Sequence, residues 1–360
     1  MTALSLHIPN VFEHHQVGDA PSQRLLVVFS AANASSFTFF RSTEELRPDR
    51  LHIRDPDGNA WYQNGLAEGE TLHDIETRIA EVAQNYREVW MVGSSMGGYA
   101  ALHFGTRLQA QRVLAIAPQI LVDSRFSRGP RSGVKVHTPD IAEQVRAATR
   151  TQCTIVFGSF DLIDTYNIAH LYEGDHMPLH IRVLQYEGQD HMLPVRLEDE
   201  CTLKRYFQQI LVKTTVPQLS IPYREGRPLD DTRLAVLRRY IGYMLKKDFV
   251  SAYADLKDDC MAFPDWHALH YYWLLSGFRA GVPPRNLKAS ACALSDLNPG
   301  AIDFAFLAAQ CCEGSGDVEG TYGYLDRVFG IRRSHPPGRK MLERLPPRPE
   351  RIEEAADECE

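Results

Sequence analysis

The sequence predicts an α/β fold with a doubly wound, mostly parallel sheet, followed by an all-α helical-repeat domain. Between residues 24 and 211, short apolar runs typical of buried strands alternate with amphipathic runs typical of helices. This alternation favours parallel strands joined by helical crossovers. Beyond residue 231 only helical patterns follow. At 360 residues the chain is long enough for two domains.

The elements of the sheet half follow from these apolar runs. The predicted strands are Arg24–Ser30, Leu51–Arg54, Glu88–Gly93, Gln111–Ala117, Gln152–Gly158 and His180–Tyr186. The predicted helices are Thr71–Tyr86, Met96–Leu108 and Leu197–Val212. In an open parallel sheet the ligand site lies beyond the carboxyl ends of the strands. Polar residues that directly follow a strand are therefore the candidate functional residues.

The chain divides into four predicted parts. The sheet half covers residues 1–212, and the segment 213–231, with three prolines, is a predicted linker. Residues 232–331 form the helical domain, in which helical stretches begin near Asp248, Pro283 and Asp317, 35 and 34 residues apart. This period is typical of tetratricopeptide repeats, although an unrelated helical bundle also fits it. Residues 332–360 are proline-rich and charged, and we expect part of this tail to be flexible.

The composition is that of an ordinary globular protein, with 44% hydrophobic residues, 24% charged residues and a formal net charge of −7. There is no strongly basic segment, which argues against nucleic acid as a partner. No apolar run is long enough to span a membrane and no secretory signal pattern is present, so we expect a cytoplasmic protein. The seven cysteines have no regular spacing and form no CxxC or Cys/His cluster. We expect reduced thiols and neither metal nor organic cofactor.

The strongest motif is the hexapeptide Gly-Ser-Ser-Met-Gly-Gly at residues 93–98, between a predicted strand and a helix rich in small residues. Gly-x-Ser-x-Gly in this position is typical of a nucleophile elbow, a turn so tight that it excludes side chains two residues before and after the serine. Only Ser95 lies midway between two glycines, because Ser94 has Val92 at the first position. We predict that Ser95 is a nucleophile. The alternative is a glycine-rich turn used only for close packing.

A serine nucleophile needs a base, and the base needs a carboxylate to orient it. Asp161 and Asp164 follow the predicted strand that ends at residue 158. We prefer Asp161 as the acid because it lies nearer the strand end, with Asp164 as the alternative if it does not cap the next helix. His191 follows the last strand on a loop that can reach the serine. His191 is the predicted general base.

The oxyanion that forms during acyl transfer needs two backbone amides. One is predicted to come from Met96, directly after the nucleophile. The other is predicted to come from the small residues after the first strong strand, with Ala31 preferred and Ala32 next.

The serine motif, followed in order by Asp161 and His191, resembles the α/β-hydrolase superfamily over about residues 24–212. The lack of a long insertion after Ala117 makes the chain similar to compact esterases. The resemblance implies Ser95 as nucleophile, His191 as base and Asp161 as acid. The residues after the first strand depart from the His-Gly of the family pattern, which leaves the oxyanion donor open. The added helical domain resembles that of bacterial hydrolases of unknown substrate.

Two segments are expected to border the site. Trp61 and Tyr62, on the loop after the second strand, are predicted to stack against a sugar ring or an acyl chain, unless Trp61 packs beneath the loop. The segment 122–136 contains Arg125, Arg128, Arg131 and Lys135. These basic residues either attract an anionic substrate or form a solvated loop, and we favour the solvated loop.

The sequence therefore predicts a serine hydrolase that cleaves a carboxylic ester through an acyl-enzyme. The same residues also suit a thioesterase or an acyltransferase. A different alternative is a non-catalytic scaffold that works through the helical repeats. The expected partners are a small-molecule or glycan-linked ester as substrate, and a protein partner or second copy bound by the helical domain.

Overall fold

The computed structural model describes residues 6–18, 22–122, 128–130, 132–172 and 176–348. The chain forms two compact units, Met1–Ile241 and Gly242–Glu360. The change from one unit to the next falls within a helix, α8 (Asp231–Lys246).

The first unit contains an eight-stranded sheet in the order β1-β3-β2-β4-β5-β6-β7-β8. The strands are β1 Phe12–His15, β2 Arg24–Phe29, β3 Asp49–Ile53, β4 Glu88–Ser94, β5 Arg112–Ile116, β6 Gln152–Gly158, β7 Ile181–Tyr186 and β8 Tyr223–Glu225. From β3 to β7 all neighbours are parallel, and the edge strands β1 and β8 are antiparallel. The predicted mostly parallel α/β sheet is confirmed. The edge strands escaped prediction because they are short and lack an apolar run.

Helices cover both faces of this sheet. They are α1 Phe40–Glu44, α2 Leu72–Ala83, α3 Met96–Arg107, α4 Ala142–Ala147, α5 Leu162–Ala169, α6 Leu193–Cys201 and α7 Leu203–Phe207, the last continued by a π-helical turn at Gln208–Val212. The hydrophobic core consists of two clusters, one on each face of the sheet, because successive side chains of a strand point to opposite faces. The side chains of β2 show this. Leu25 and Val27 pack in the cluster that includes α2 and α3, and Leu26 and Val28 in the cluster that includes α6 and α7.

Part of the predicted linker belongs to the sheet. Within residues 213–231, β8 pairs with β7, so that Leu184 lies opposite Glu225 and Tyr186 opposite Tyr223. The Arg182 side chain donates two hydrogen bonds to Glu225 across the same pair. All three residues of β8 are exposed, so the strand has no hydrophobic pattern that a sequence analysis could detect.

In the part of the C-terminal region that the structure describes, up to residue 348, all regular elements are helices, as predicted. After α8 come α9 Phe249–Ala262, α10 His267–Arg279, α11 Pro284–Leu297, α12 Ile302–Gly314, α13 Val318–Ile331 and α14 Pro336–Leu342. The starts of α9, α11 and α13 are 35 and 34 residues apart. Asp248 and Asp317 each cap a helix by accepting a hydrogen bond from a backbone N–H three residues later. The tetratricopeptide assignment stays a prediction. None of the helices among the described residues has the length and hydropathy required to cross a membrane.

The first part of the predicted tail contains a helix, and the flexibility of the tail stays a prediction. Helix α14 buries Met341 against Ala309 and Leu325. Arg344 beyond it donates two hydrogen bonds to Glu313. The prolines that suggested disorder include the first turn of α14, where proline is tolerated because that N–H has no intrahelical partner. Residues 349–360 lie outside the described residues.

Candidate active site

The serine motif forms a sharp turn between β4 and α3. Strand β4 ends at Ser94 and α3 begins at Met96, which leaves Ser95 alone in the turn with φ 55° and ψ −118°. A positive φ is unfavourable for a residue with a side chain and persists only where the surroundings enforce it. Here the Ser95 N–H donates to the carbonyl of Ile116 on the neighbouring strand at 2.8 Å, and the Ser95 carbonyl accepts from Tyr99 at 3.0 Å.

The glycines of the motif are required by sterics. A Cβ on Gly93 would lie 2.0 Å from the carbonyl oxygen of Gly97, and a Cβ on Gly97 would lie 2.4 Å from the carbonyl oxygen of Phe29. Both contacts involve backbone atoms, which cannot rotate away. The turn therefore closes only with glycine at both positions, as the elbow geometry predicts.

Ser95 and His191 are brought together across the sheet. His191 lies between β7 and α6, and its Nε2 is 2.9 Å from the Ser95 Oγ. The other ring nitrogen, Nδ1, is 2.7 Å from Oδ2 of Asp164. The His191 side chain is 18% exposed and the Asp164 side chain is fully buried. Serine, histidine and carboxylate thus form one hydrogen-bonded line of the kind that general-base chemistry at a serine needs.

The preference for Asp161 as the partner of His191 is wrong. Asp161 is the N-cap of α5, and its Oδ1 accepts the backbone N–H of Asp164 at 2.9 Å. Asp164 lies in the first turn of α5, where its side chain reaches His191. The two expected roles are therefore exchanged: Asp164 contacts His191, and Asp161 caps the helix. The sequence placed both at the strand end but could not decide which one the helix start would use as its cap.

Arg128 contacts both carboxylates, which the sequence did not predict. Its NH1 lies 2.8 Å from Oδ1 of Asp164, and its NH2 lies 2.5 Å from Oδ2 of Asp161. Oδ1 of Asp164 also accepts from Gln119 Nε2 at 2.9 Å. The side chain is one-third exposed, so Arg128 is not simply part of a solvated basic loop. The available signal was a cation in a segment that follows a strand end, close to two predicted acids.

Of the other basic residues in that segment, Lys135 is exposed. Arg125 and Arg131 lie outside the described residues.

The two carboxylates differ electrostatically. Burial raises the pKa of Asp161, but the charges of Arg128 and His191 and the hydrogen bonds that Asp161 accepts outweigh it, so the pKa is lowered from the ordinary 3.8. Burial and the charge of Asp161 raise the pKa of Asp164, and His191 and Arg128 only partly counteract them. Of the two carboxylates, the one next to His191 is thus the harder to ionise.

Asp161, Asp164 and His191 also have donor atoms within 4.8 Å of one another, as a metal site would require. However, the guanidinium of Arg128 already binds both carboxylates. Both ring nitrogens of His191 also have hydrogen-bond partners. In the structure, the guanidinium of Arg128 thus takes the place beside the two carboxylates that a metal cation would take.

The two predicted oxyanion donors have different surroundings. Met96 is the first residue of α3, where backbone N–H groups have no intrahelical acceptor. The Ala31 amide, by contrast, donates to Oγ1 of Thr38 at 3.0 Å, and the Thr38 amide donates to Ser30 Oγ at 3.0 Å. These two bonds close the loop after β2 on itself. The preferred second donor is therefore engaged within the chain, which leaves Ala32 as the alternative from the sequence.

Trp61 and Tyr62 do not form an exposed stacking surface. Trp61 is 1% exposed and Tyr62 is 0% exposed. The Tyr62 hydroxyl donates to the Ser30 carbonyl at 2.9 Å, and the Trp61 indole N–H donates to Asn59 at 2.9 Å. Their role is to hold the loops after β2 and β3, and the prediction of substrate contact is wrong. Aromatic residues give this ambiguity because the same surface that stacks on a ligand also packs well in a core.

A cavity of about 880 Å³ lies between the loop after β2 and helix α6. Aromatic and aliphatic side chains form much of its wall, and acidic side chains also line it. The lining includes Phe37, Thr38, Phe39, Phe40, Pro194, Val195, Leu203, Glu13, Glu198 and Asp199. Helix α6 begins two residues after His191, and Thr38 is the residue that holds the Ala31 amide. The cavity is thus lined by segments that follow Ala31 and His191 in the sequence, while Ser95 and His191 are not among its lining residues. Its volume is in the range of small-molecule sites.

Two features identify the fold: the mostly parallel eight-stranded sheet with helices on both faces, and the sharp serine turn between β4 and α3. The fold is of the α/β-hydrolase type. No protein-family model matches the sequence, and a search of curated proteins gives no match.

Solved structures with similarity to the chain include three enzymes. The capsule O-acetyltransferase of Neisseria meningitidis serogroup A has 15% identity and a TM-score of 0.43, over 57% of this chain and 92% of that chain. A monoacylglycerol lipase of Paleococcus ferrophilus has 12% identity and a TM-score of 0.38, over 56% and 96%. A serine hydrolase without a lid from Xanthomonas campestris has 18% identity and a TM-score of 0.34, over 57% and 88%. Similarity this weak indicates no reaction and no substrate for this chain.

Proposed function

We propose that the protein is a serine hydrolase that cleaves a carboxylic ester through Ser95, His191 and Asp164. The observation that carries this proposal is the hydrogen-bonded line from Ser95 Oγ through both nitrogens of His191 to Asp164. The strained backbone of Ser95 supports it, because such strain is typical of functional turns.

In the proposed reaction, Ser95 Oγ attacks the ester carbonyl while His191 Nε2 takes its proton. The Nδ1–H of the resulting imidazolium stays bonded to Asp164, which stabilises the positive charge. The alcohol leaves with the proton from Nε2, and Ser95 carries the acyl group. Water then attacks this acyl-enzyme with His191 again as base, which releases the acid and restores the serine.

The negative charge on the carbonyl oxygen would be stabilised by the Met96 amide at the start of α3, where the helix dipole adds to the effect. A second amide would come from the loop after β2. Ala31 can serve only if Thr38 releases it, so Ala32 is the simpler donor in this proposal.

We assign the cavity between the loop after β2 and α6 to the acyl part of the ester. Phe37, Phe39 and Val195 in its wall favour an apolar chain. Charged residues of both signs, Arg41 as well as Glu198 and Asp199, also line the cavity. The proposed substrate class is thus an ester with an apolar acyl group. The reaction would need no metal or organic cofactor and would take place in the cytoplasm. The helical unit would provide the surface for a protein partner or a second copy.

A fluorophosphonate probe followed by an ester panel tests the proposal. The probe is expected to label Ser95 in the wild type, to label Ser94→Ala comparably, and not to label Ser95→Ala. Esters and thioesters of increasing acyl length, assayed with and without an added alcohol, would then separate hydrolysis from acyl transfer. Equal labelling of the Ser95→Ala variant, or no turnover of any ester by the wild type that has not been treated with the probe, would contradict the proposal.

A further inference from the structure

Arg128 is bonded to the two acidic residues beside the candidate base, not to one alone. It donates from NH1 to Oδ1 of Asp164 and from NH2 to Oδ2 of Asp161. Its backbone N–H donates to Oε1 of Gln119 at 3.0 Å, and the amide of Gln119 donates to Asp164. The segment between β5 and α4 is thereby anchored to the start of α5 at the carboxyl edge of the sheet.

These bonds decide which oxygen of Asp164 faces the histidine. Oδ1 accepts from Arg128 and from Gln119, which leaves Oδ2 to accept from His191 Nδ1. A carboxylate without the guanidinium could rotate about its Cβ–Cγ bond or take up a proton. Either change would remove the acceptor that holds the imidazole in the orientation needed at Ser95.

The charges also require a cation at this place. The side chains of Asp161 and Asp164 are 10% and 0% exposed, and two buried carboxylates so close together repel each other. Arg128 makes the pair singly negative, and protonation of His191 then makes the cluster neutral. One charge is thus left for the base to balance, rather than two.

We propose that Arg128 is a positioning residue, which keeps Asp164 ionised and directed at His191 and sets the charge that the base experiences, with Asp161 as its counter-ion. This inference rests on the proposed function of Ser95, His191 and Asp164. It adds two positioning residues, Arg128 and Asp161, behind the three proposed catalytic residues.

Three charged groups face His191: Asp164 in the first turn of α5, Asp161 at its N-cap, and Arg128 before α4. Asp190 is also nearby, and its side chain accepts a hydrogen bond from the Met192 N–H. These charges predict opposite effects of two substitutions. Arg128→Gln leaves two negative charges beside the imidazole, which favours its protonated form. The acid limb of the kcat/KM profile should then move up by about one pH unit. Asp161→Asn removes a negative charge, so the limb should move down, and Asn still caps α5.

The experiment compares kcat/KM against pH for the wild type and for Arg128→Gln, Asp161→Asn and the double variant. We expect kcat to fall about 10- to 100-fold in Arg128→Gln with KM changed less than about threefold. Arg128→Lys, which keeps the charge, should recover much of the loss, and the double variant should return the acid limb near that of the wild type. Arg24→Gln is the matched control, because Arg24 pairs with Glu88 at the amino ends of β2 and β4, away from the carboxyl ends where His191 lies. That variant should leave the profile unchanged.

A second measurement does not depend on turnover. The ring signals of His191, assigned by their loss in His191→Gln, can be followed against pH by NMR in the same four proteins. Opposite shifts in the two single variants, cancelling in the double variant, support the inference even if no ester is cleaved. Unmoved signals, or shifts in the same direction, would overturn it. If Arg128→Gln does not fold, Asp161→Asn still decides: a downward shift supports the inference, and an unmoved or upward-shifted signal overturns it. Arg128→Lys, which keeps the charge, should then leave the His191 signals near their wild-type titration.

Discussion

The serine turn and the acid cluster lie at the same edge of the sheet, but different forces hold them. The serine turn is a backbone structure, in which two glycines pass so close to neighbouring carbonyls that no side chain fits. The acid cluster is a network of side chains from two segments. Asp161 and Asp164 come from the start of α5, and Gln119 and Arg128 come from the connection between β5 and α4. The first is held by short-range sterics, and the second by charge and hydrogen bonding in a buried place.

This difference has consequences for how each region fails. A change in the serine turn alters the path of the backbone and should cost folding. A change in the acid cluster leaves the backbone in place and alters charge and orientation, so it should cost activity together with a stability contribution that depends on pH. The following predictions separate these two kinds of damage, beginning with the largest effect.

Asp164→Asn and Asp161→Asn should differ strongly in activity. Loss of the carboxylate at His191 should lower kcat by about 10⁴-fold, because an amide favours the wrong tautomer and cannot stabilise the imidazolium. Asp161→Asn should lower kcat by only about tenfold. Steady-state kinetics on the best ester of the panel measures both. A larger loss in Asp161→Asn would restore Asp161 as the acid and contradict the observed geometry.

Gly93→Ala should disrupt the serine turn itself. Its Cβ would lie 2.0 Å from a backbone oxygen, so we expect the free energy of unfolding to fall by about 4 kcal/mol or the protein to be insoluble. The control is Gly323→Ala in α13, where a Cβ meets nothing within 4 Å and a helix favours alanine by about 0.5–1 kcal/mol. Urea unfolding measures both changes. Full stability of Gly93→Ala would show that the turn can relax.

The stability contributed by Asp161 should depend on pH. Because its pKa is lowered below 3.8 in the folded state, its ionised form stabilises the protein above that pH, and the stabilisation is lost as the pH falls through the lowered pKa. We expect Asp161→Asn to cost about 2 kcal/mol at pH 7 and progressively less below pH 3.8. Urea unfolding over pH 3 to 7 tests this. A constant difference would mean that the carboxylate charge contributes nothing.

The acyl assignment of the cavity can be tested with Val195→Trp, since Val195 lines the cavity and is 46% exposed. We expect kcat/KM for long acyl esters to fall about tenfold and that for acetyl esters to change less than threefold, as for other hydrophobic subsites. Val250→Trp, at an exposed position of α9, is the matched control. An equal loss for short and long esters would place the acyl group elsewhere.

Much of the fold could be predicted because its signals are local. The strands β2, β4 and β6 are continuous apolar runs, and the observed bounds agree with the predicted ones within one residue. The positions of Ser95 and His191 also followed from the sequence, since each directly follows a strand of a parallel sheet. The antiparallel edge strands did not, because they are short and, in β8, all three residues are exposed and form no apolar run.

The sequence by itself determined the sheet, the helical region and the serine turn, because periodic burial and the absence of a Cβ act within a few residues along the chain. Only the tertiary structure decided the partners at the site. It placed Asp164 at His191, Asp161 at the helix cap and Arg128 between them. It also buried Trp61 and Tyr62 and engaged the Ala31 amide. These outcomes depend on which distant groups meet in a buried place, where each charge and each hydrogen-bonding group must find a partner.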